Sequence, residues 1–64
     1  MNITIVWEDG FLRSNNNFKD VAYEDPINAS SDSWDIALSF CQANDLDIIS
    51  VEHDKQYVHV EVFN

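Results

Sequence analysis

Near the C-terminus, Val58, Val60 and Val62 alternate without a break with Tyr57, His59, Glu61 and Phe63. Side chains on a strand change faces at every residue, so this run predicts a strand with one face on a core and the other open. Such a strand needs neighbours to satisfy its backbone and another layer to cover its apolar face. The preceding run, Ile48-Ile49-Ser50-Val51-Glu52, supplies a neighbour, with His53-Asp54-Lys55-Gln56 as the turn. A loop of two or four residues centred there pairs Val51 with Val58 and Ile49 with Val60. That register places Ile49, Val51, Val58, Val60 and Val62 inward, and Ser50, Glu52, Tyr57, His59 and Glu61 outward. An odd-numbered loop would mix the two faces.

The covering layer comes from the middle of the chain. Ser30-Ser31-Asp32 is a run of N-cap residues, and Asp35 three positions after Asp32 resembles a weakened capping box. Behind it, Trp34, Ala37, Leu38, Cys41 and Ala43 lie near one helical stripe, widened by Ile36 and Phe40. These features predict a helix over 32–44. Towards the N-terminus, Ile3-Thr4-Ile5-Val6-Trp7 is β-branched and aromatic and reads as a strand. Asp9-Gly10 is a strong hairpin signal, with Phe11–Ser14 returning and Asn15-Asn16-Asn17 ending the strand. Residues 18–24 fit a strand by Val21 and Tyr23 and a helical turn by Phe18, Val21 and Ala22. The extended form is preferred, and Asp25-Pro26 breaks it. The expected architecture is one α+β domain over 1–64. Its order is β-β-(β)-α-β-β, with one amphipathic helix on one face of a three- to five-stranded, mainly antiparallel sheet. The expected core joins Val58, Val60 and Val62 to Trp34, Leu38 and Cys41.

Residue types exclude most chemistry. The single cysteine, Cys41, lies on the apolar stripe and reads as a core thiol; no internal disulfide can form. His53 and His59 fall in a turn and mid-strand and do not converge on a metal. One glycine cannot make a phosphate-cradling loop, and no calcium-loop spacing is present. The expectation is a chain with no catalytic residue, metal or cofactor. With no basic leader and no apolar run approaching ~20 residues, it is also expected in the cytoplasm and away from membranes.

Charge is the outlying property. Twelve acidic residues face three basic ones, for a net charge of −9, where about 2–8 serves a small domain's solubility. Nucleic acid is bound by Lys and Arg, so Arg13, Lys19 and Lys55 do not make this chain a direct binder. Asp32 and Asp35 suit a helix N-terminus, where negative charge is favourable. Asp45 and Asp47 sit at the opposite end, where the dipole disfavours them. Glu24-Asp25 are adjacent like charges, as are Glu8-Asp9. Glu52 and Glu61 share the outer sheet face with no lysine as an expected neighbour. Glu24, Asp25, Asp32, Asp35, Asp45, Asp47, Glu52 and Glu61 are the candidate partner-binding residues, with no choice made among the acidic faces they occupy, and the expected partner is a basic protein or complex built to hold nucleic acid.

Carboxylates two apart on a strand, ~6.6 Å from each other and facing the same way, can stand where successive phosphates would. In size, acidity, absence of cysteine pairs and absence of catalytic motifs, the chain resembles the small acidic DNA-mimic inhibitors of phages and mobile elements, anti-CRISPR proteins among them. No sequence signature carries the resemblance, so no family residue transfers. It implies occlusion of the DNA-binding site of a host defence complex. An antitoxin or immunity-type protein would share these electrostatics but plug a nuclease site with anchors such as Trp7, Tyr23 or Tyr57; a structural accessory module is a third expectation.

Overall fold

In the computed structural model, which describes residues 1–27 and 32–63, the chain forms β1 (Asn2–Glu8), β2 (Phe11–Ser14), β3 (Val21–Ala22), α1 (Ser33–Ala43), β4 (Asp47–Asp54) and β5 (Tyr57–Phe63). The strands lie in the order β3-β2-β1-β5-β4, every neighbouring pair antiparallel. The predicted α+β class and element order hold. Among the described residues, no helix is long and apolar enough to cross a membrane.

The first hairpin turns at Asp9 and Gly10, whose φ angles of 52° and 84° are the positive pair a type I′ turn demands. Beyond β2, Asn15 continues the ladder with its side chain. Its N–H donates to the Thr4 carbonyl at 3.1 Å, and Thr4 N–H donates to Asn15 Oδ1 at 3.0 Å. Of residues 18–24, only Val21–Ala22 pair as a strand. Phe18 instead turns edge-on to Phe40, ring centroids 6.2 Å apart. Asn44, just past α1, pins that segment down. It accepts from Lys19 N–H at 2.8 Å and donates to the carbonyls of Lys19 and Phe40.

The core is one sheet face against one helix stripe. Ile3 and Ile5 from β1, Leu12 from β2, and Val58, Val60 and Val62 from β5 meet Ile36, Ala37, Phe40 and Cys41. All ten are buried. Fully burying an aliphatic or aromatic side chain stabilises by about 1.5–3 kcal/mol, so this layer is the main support of so short a chain.

Three expectations about it need correction. Trp34 and Leu38 are exposed, at 55% and 39%, because α1 is rotated to bring Ile36 and Phe40 onto the sheet. The second hairpin turns at Lys55-Gln56, so Val51 pairs with Val60, His53 with Val58 and Asp54 with Tyr57. The shift of two residues keeps the parity, and with it the inward and outward sets of β5. Upstream the parity does change. Ile48 pairs with Val62 and Ser50 with Glu61, leaving Ile49 in a β-bulge, 47% exposed. Without this extra residue the alternation of Val51 would carry Asp47 inward, and a carboxylate unpaired in the core is costly. Instead Leu46 and Ile48 pack on the core and Asp47 faces out.

The two ends of α1 are satisfied differently. Asp32 makes no side-chain capping bond, so the capping box with Asp35 does not form, and Ser30 and Ser31 lie outside the described residues. At the C-terminus, Leu46 N–H donates to the Cys41 carbonyl at 2.8 Å and Asp45 N–H to that of Gln42 at 3.3 Å. These are the two bonds of a Schellman motif. Its left-handed position is held by Asp45 at φ 57°, where glycine is the unstrained choice. Asp45→Gly removes both the backbone strain and a carboxylate at the negative end of the helix. We expect stabilisation of about 0.5–1 kcal/mol, a rise of roughly 2–8 °C in the melting temperature. A fall would show that the carboxylate itself holds the turn.

Candidate functional site

Because α1 covers one face, the other face of the sheet carries no helix among the described residues. Its parity is set by the register. Asn2, Thr4, Val6 and Glu8 point outward from β1, Phe11 and Arg13 from β2, and Tyr57, His59, Glu61 and Phe63 from β5. From β4 come Asp47, Ser50, Glu52 and Asp54.

Carboxylates concentrate towards the β5–β4 side. Glu52 lies opposite His59, Glu61 opposite Ser50 on one side and Asn2 on the other, and Asp54 opposite Tyr57. Glu52 and Asp54 are two residues apart on one strand, hence ~6.6–6.8 Å apart. Glu61 is diagonal to Glu52, within ~7–8 Å. All of these acids are exposed, as are Asp47 and Glu8. No lysine or arginine is a direct cross-strand partner of Glu52, Asp54 or Glu61.

His59 stands in the middle. Its Nδ1 is 3.1 Å from Thr4 Oγ1, its Nε2 3.9 Å from Asp54 Oδ2, and its ring stacks on Tyr57 at 6.4 Å and 27°. These contacts fix the ring between Glu52 and Glu61 and line a shallow depression of about 250 Å3 with Thr4 and Ser50. Most of its lining residues are polar or charged.

The eight acids expected to bind a partner do not form one surface. Asp47, Glu52 and Glu61 share the open face. Asp25, Asp32 and Asp35 gather instead near Tyr23. Burial, and after it the charges of Asp32, Asp25 and Asp35, raise that phenol above its ordinary range. Glu24 is exposed in the bend beside them. Asp45 occupies the left-handed turn after α1, a backbone role. Asp54 and Glu8 belong to the open face although neither was a candidate. The pairing of β4 at Asp54–Tyr57 reveals the first, and the alternation of β1 was enough to find the second.

The few cations do little to offset this charge. Arg13 binds Asp20 at 2.8 Å and lies over the Phe11 ring, the one Lys or Arg ion pair among the described residues. Lys55 sits at the tip of the β4–β5 turn. The described residues contain no cluster of three or more potential ligands able to hold a metal ion. Burial pushes the Cys41 thiol up, opposite to the shift that activates a nucleophile. Comparison with protein-family models, curated proteins and solved structures gave no match. The site therefore rests on its own geometry and charge.

Cys41 and Tyr23 make stability pH-dependent at the alkaline end. Both are raised in the folded chain, from ordinary values of 9.0 and 10.0. The unfolded chain therefore loses these protons first. Their contribution is complete below the unfolded values and disappears as pH rises through the folded ones. The melting temperature should decline from about pH 9 upward, and Tyr23→Phe should flatten the upper part of that decline. A melting temperature that is level from about pH 8 to 11 contradicts the burial of these groups.

Proposed function

We propose that the chain is an acidic binding protein whose open sheet face occupies a basic, nucleic-acid-holding surface of a partner protein, in the manner of a DNA mimic. One observation carries this reading: Asp47, Glu52, Asp54 and Glu61 share one sheet face, and no lysine or arginine is a direct cross-strand partner of any of them. Carboxylates gathered on one face repel one another and contribute nothing to the fold, which supports a use outside it. The reading assigns the chain no catalytic step, metal or cofactor. It places the protein in the cytoplasm, with a host defence complex of the CRISPR type as the kind of target that the resemblance to phage inhibitors suggests. The carboxylates repel nucleic acid and attract a groove lined with Arg and Lys, steering encounter over a Debye length of ~10 Å at 0.1 M salt.

A plug for a nuclease active site finds less support. Trp7 and Tyr23 are half-buried, and Trp7 Nε1 donates to the Tyr23 carbonyl at 3.2 Å. Tyr57 alone of the three anchors is exposed, at 45%.

The test is capture of a partner from host lysate at low salt, then competition between this chain and nucleic acid for that partner. Displacement of nucleic acid and steep weakening of the complex between about 50 and 300 mM salt are expected. Glu52→Gln with Glu61→Gln should weaken binding about tenfold, mainly through slower association, while the melting temperature holds or rises. Binding that ignores salt and leaves nucleic acid in place rejects the mimic reading.

A further inference from the structure

The sheet has two edges of unequal kind. On one side β3 contributes only two residues. On the other, β4 is eight residues long, and no described strand pairs with its outer side. An edge strand of this length presents a row of unsatisfied N–H and C=O groups, which proteins normally shorten, cover or protect. The bulge at Ile49 interrupts the row and leaves residues 50–54 as its regular part.

An apolar ledge lies above this edge. Phe40 meets Phe18, and Asp32 is near enough to Tyr23 to raise its phenol; Phe18 and Tyr23 flank β3. Ile36, Phe40 and Asp32 therefore mark the side of α1 that faces the β3 edge. At 100° per residue, Trp34 and Leu38 fall on the opposite shoulder, beyond Ala37 and Cys41, over the β4 side. Four apart on the helix, they are neighbours, and they are exposed at 55% and 39%. On the helix side of β4, Val51 is half-buried and packs against the core. On the other side of the strand, Glu52 and Asp54 are exposed.

We propose that the β4 edge is a strand-addition site, and that its occupant is an extended basic segment of the partner protein. The segment lies along residues 50–54 as a sixth strand. Its backbone pairs with the free groups of β4. Alternate apolar side chains pack under Trp34 and Leu38, and the Lys or Arg side chains between them meet Glu52 and Asp54. The sign of the occupant's charge rests on the proposed function above; the place and the alternation rest on the edge and the ledge. A second copy of this chain fits badly, because two β4 edges would set Glu52 and Asp54 against their own kind.

The probe is a short capped peptide alternating lysine with valine, added to the full isotope-labelled chain and followed by amide hydrogen exchange. Its control is a block peptide of the same composition. Protection of alternate amides within 50–54 by about tenfold or more, with the alternating peptide alone, is expected. Trp34→Ala should cut its affinity about tenfold, with the melting temperature unchanged because the side chain is exposed. Equal binding of both peptides without protection of β4 overturns strand addition and leaves the acidic-face reading standing. Failure of both peptides to bind at low salt overturns the two together. Protection that grows with protein concentration in the absence of peptide assigns the edge to a second copy and overturns the proposal.

Discussion

The pairing of β1 with β5 is the interaction on which the rest of this structure depends. It joins the two ends of the chain in the middle of the sheet, setting Ile3 beside Val60 and Ile5 beside Val58. These four side chains form the floor on which α1 rests. Both hairpins are then local additions, β2 folding back on β1 and β4 on β5. The connection between the two edge strands, β3 and β4, passes through α1. Closing so long a stretch of chain costs entropy before any contact offsets it. The unbroken alternation of the two central strands is what makes the closure worthwhile.

The same arrangement decides where charge can go. One face of the sheet and one stripe of the helix are fully used by the ten buried apolar residues, and no polar or charged side chain is buried among those described. Twelve acidic residues must therefore share the remaining surface with three basic ones. A charge of −9 on a small domain is self-repelling, and at Glu52, Asp54 and Glu61 the register compounds it. The fold carries local costs: a bulge at Ile49, which keeps the Asp47 carboxylate out of the core, a strained Asp45 at the helix end, and a helix start without a side-chain cap. Each is tolerable because the apolar layer is complete.

Much of this was legible in the sequence because period-two alternation has only one structural meaning. The faces of β5 and the outward placement of Glu52 and Glu61 follow from it, and the turn at Asp9-Gly10 from its residue types. The turn at Lys55-Gln56 was not legible. Moving a turn along by one residue shifts the pairing by two and preserves every face, so alternation cannot tell the two registers apart. The bulge has a signal of its own in the sequence. Leu46 and Ile48 alternate in one phase and Ile49 and Val51 in the other, and the doubled isoleucine is where the phase slips. The rotation of α1 had less. Apolar residues cover so much of the helix that its own periodicity leaves two orientations open; Phe18, contributed by a segment with no regular structure, selects Phe40 over Trp34. The exposed Trp34–Leu38 pair is the consequence, and it falls beside the long free edge.

If the open-face carboxylates sit against the interests of the fold, screening them must help it. The most direct measurement is the melting temperature of the chain as sodium chloride rises from about 10 to 200 mM, a range over which the Debye length falls from ~30 Å to below ~10 Å. The account predicts a clear rise, smaller when Glu52 and Glu61 are both changed to Gln. A melting temperature that falls with salt would mean that the charges hold the fold together by attraction, which contradicts a surface kept negative for a partner.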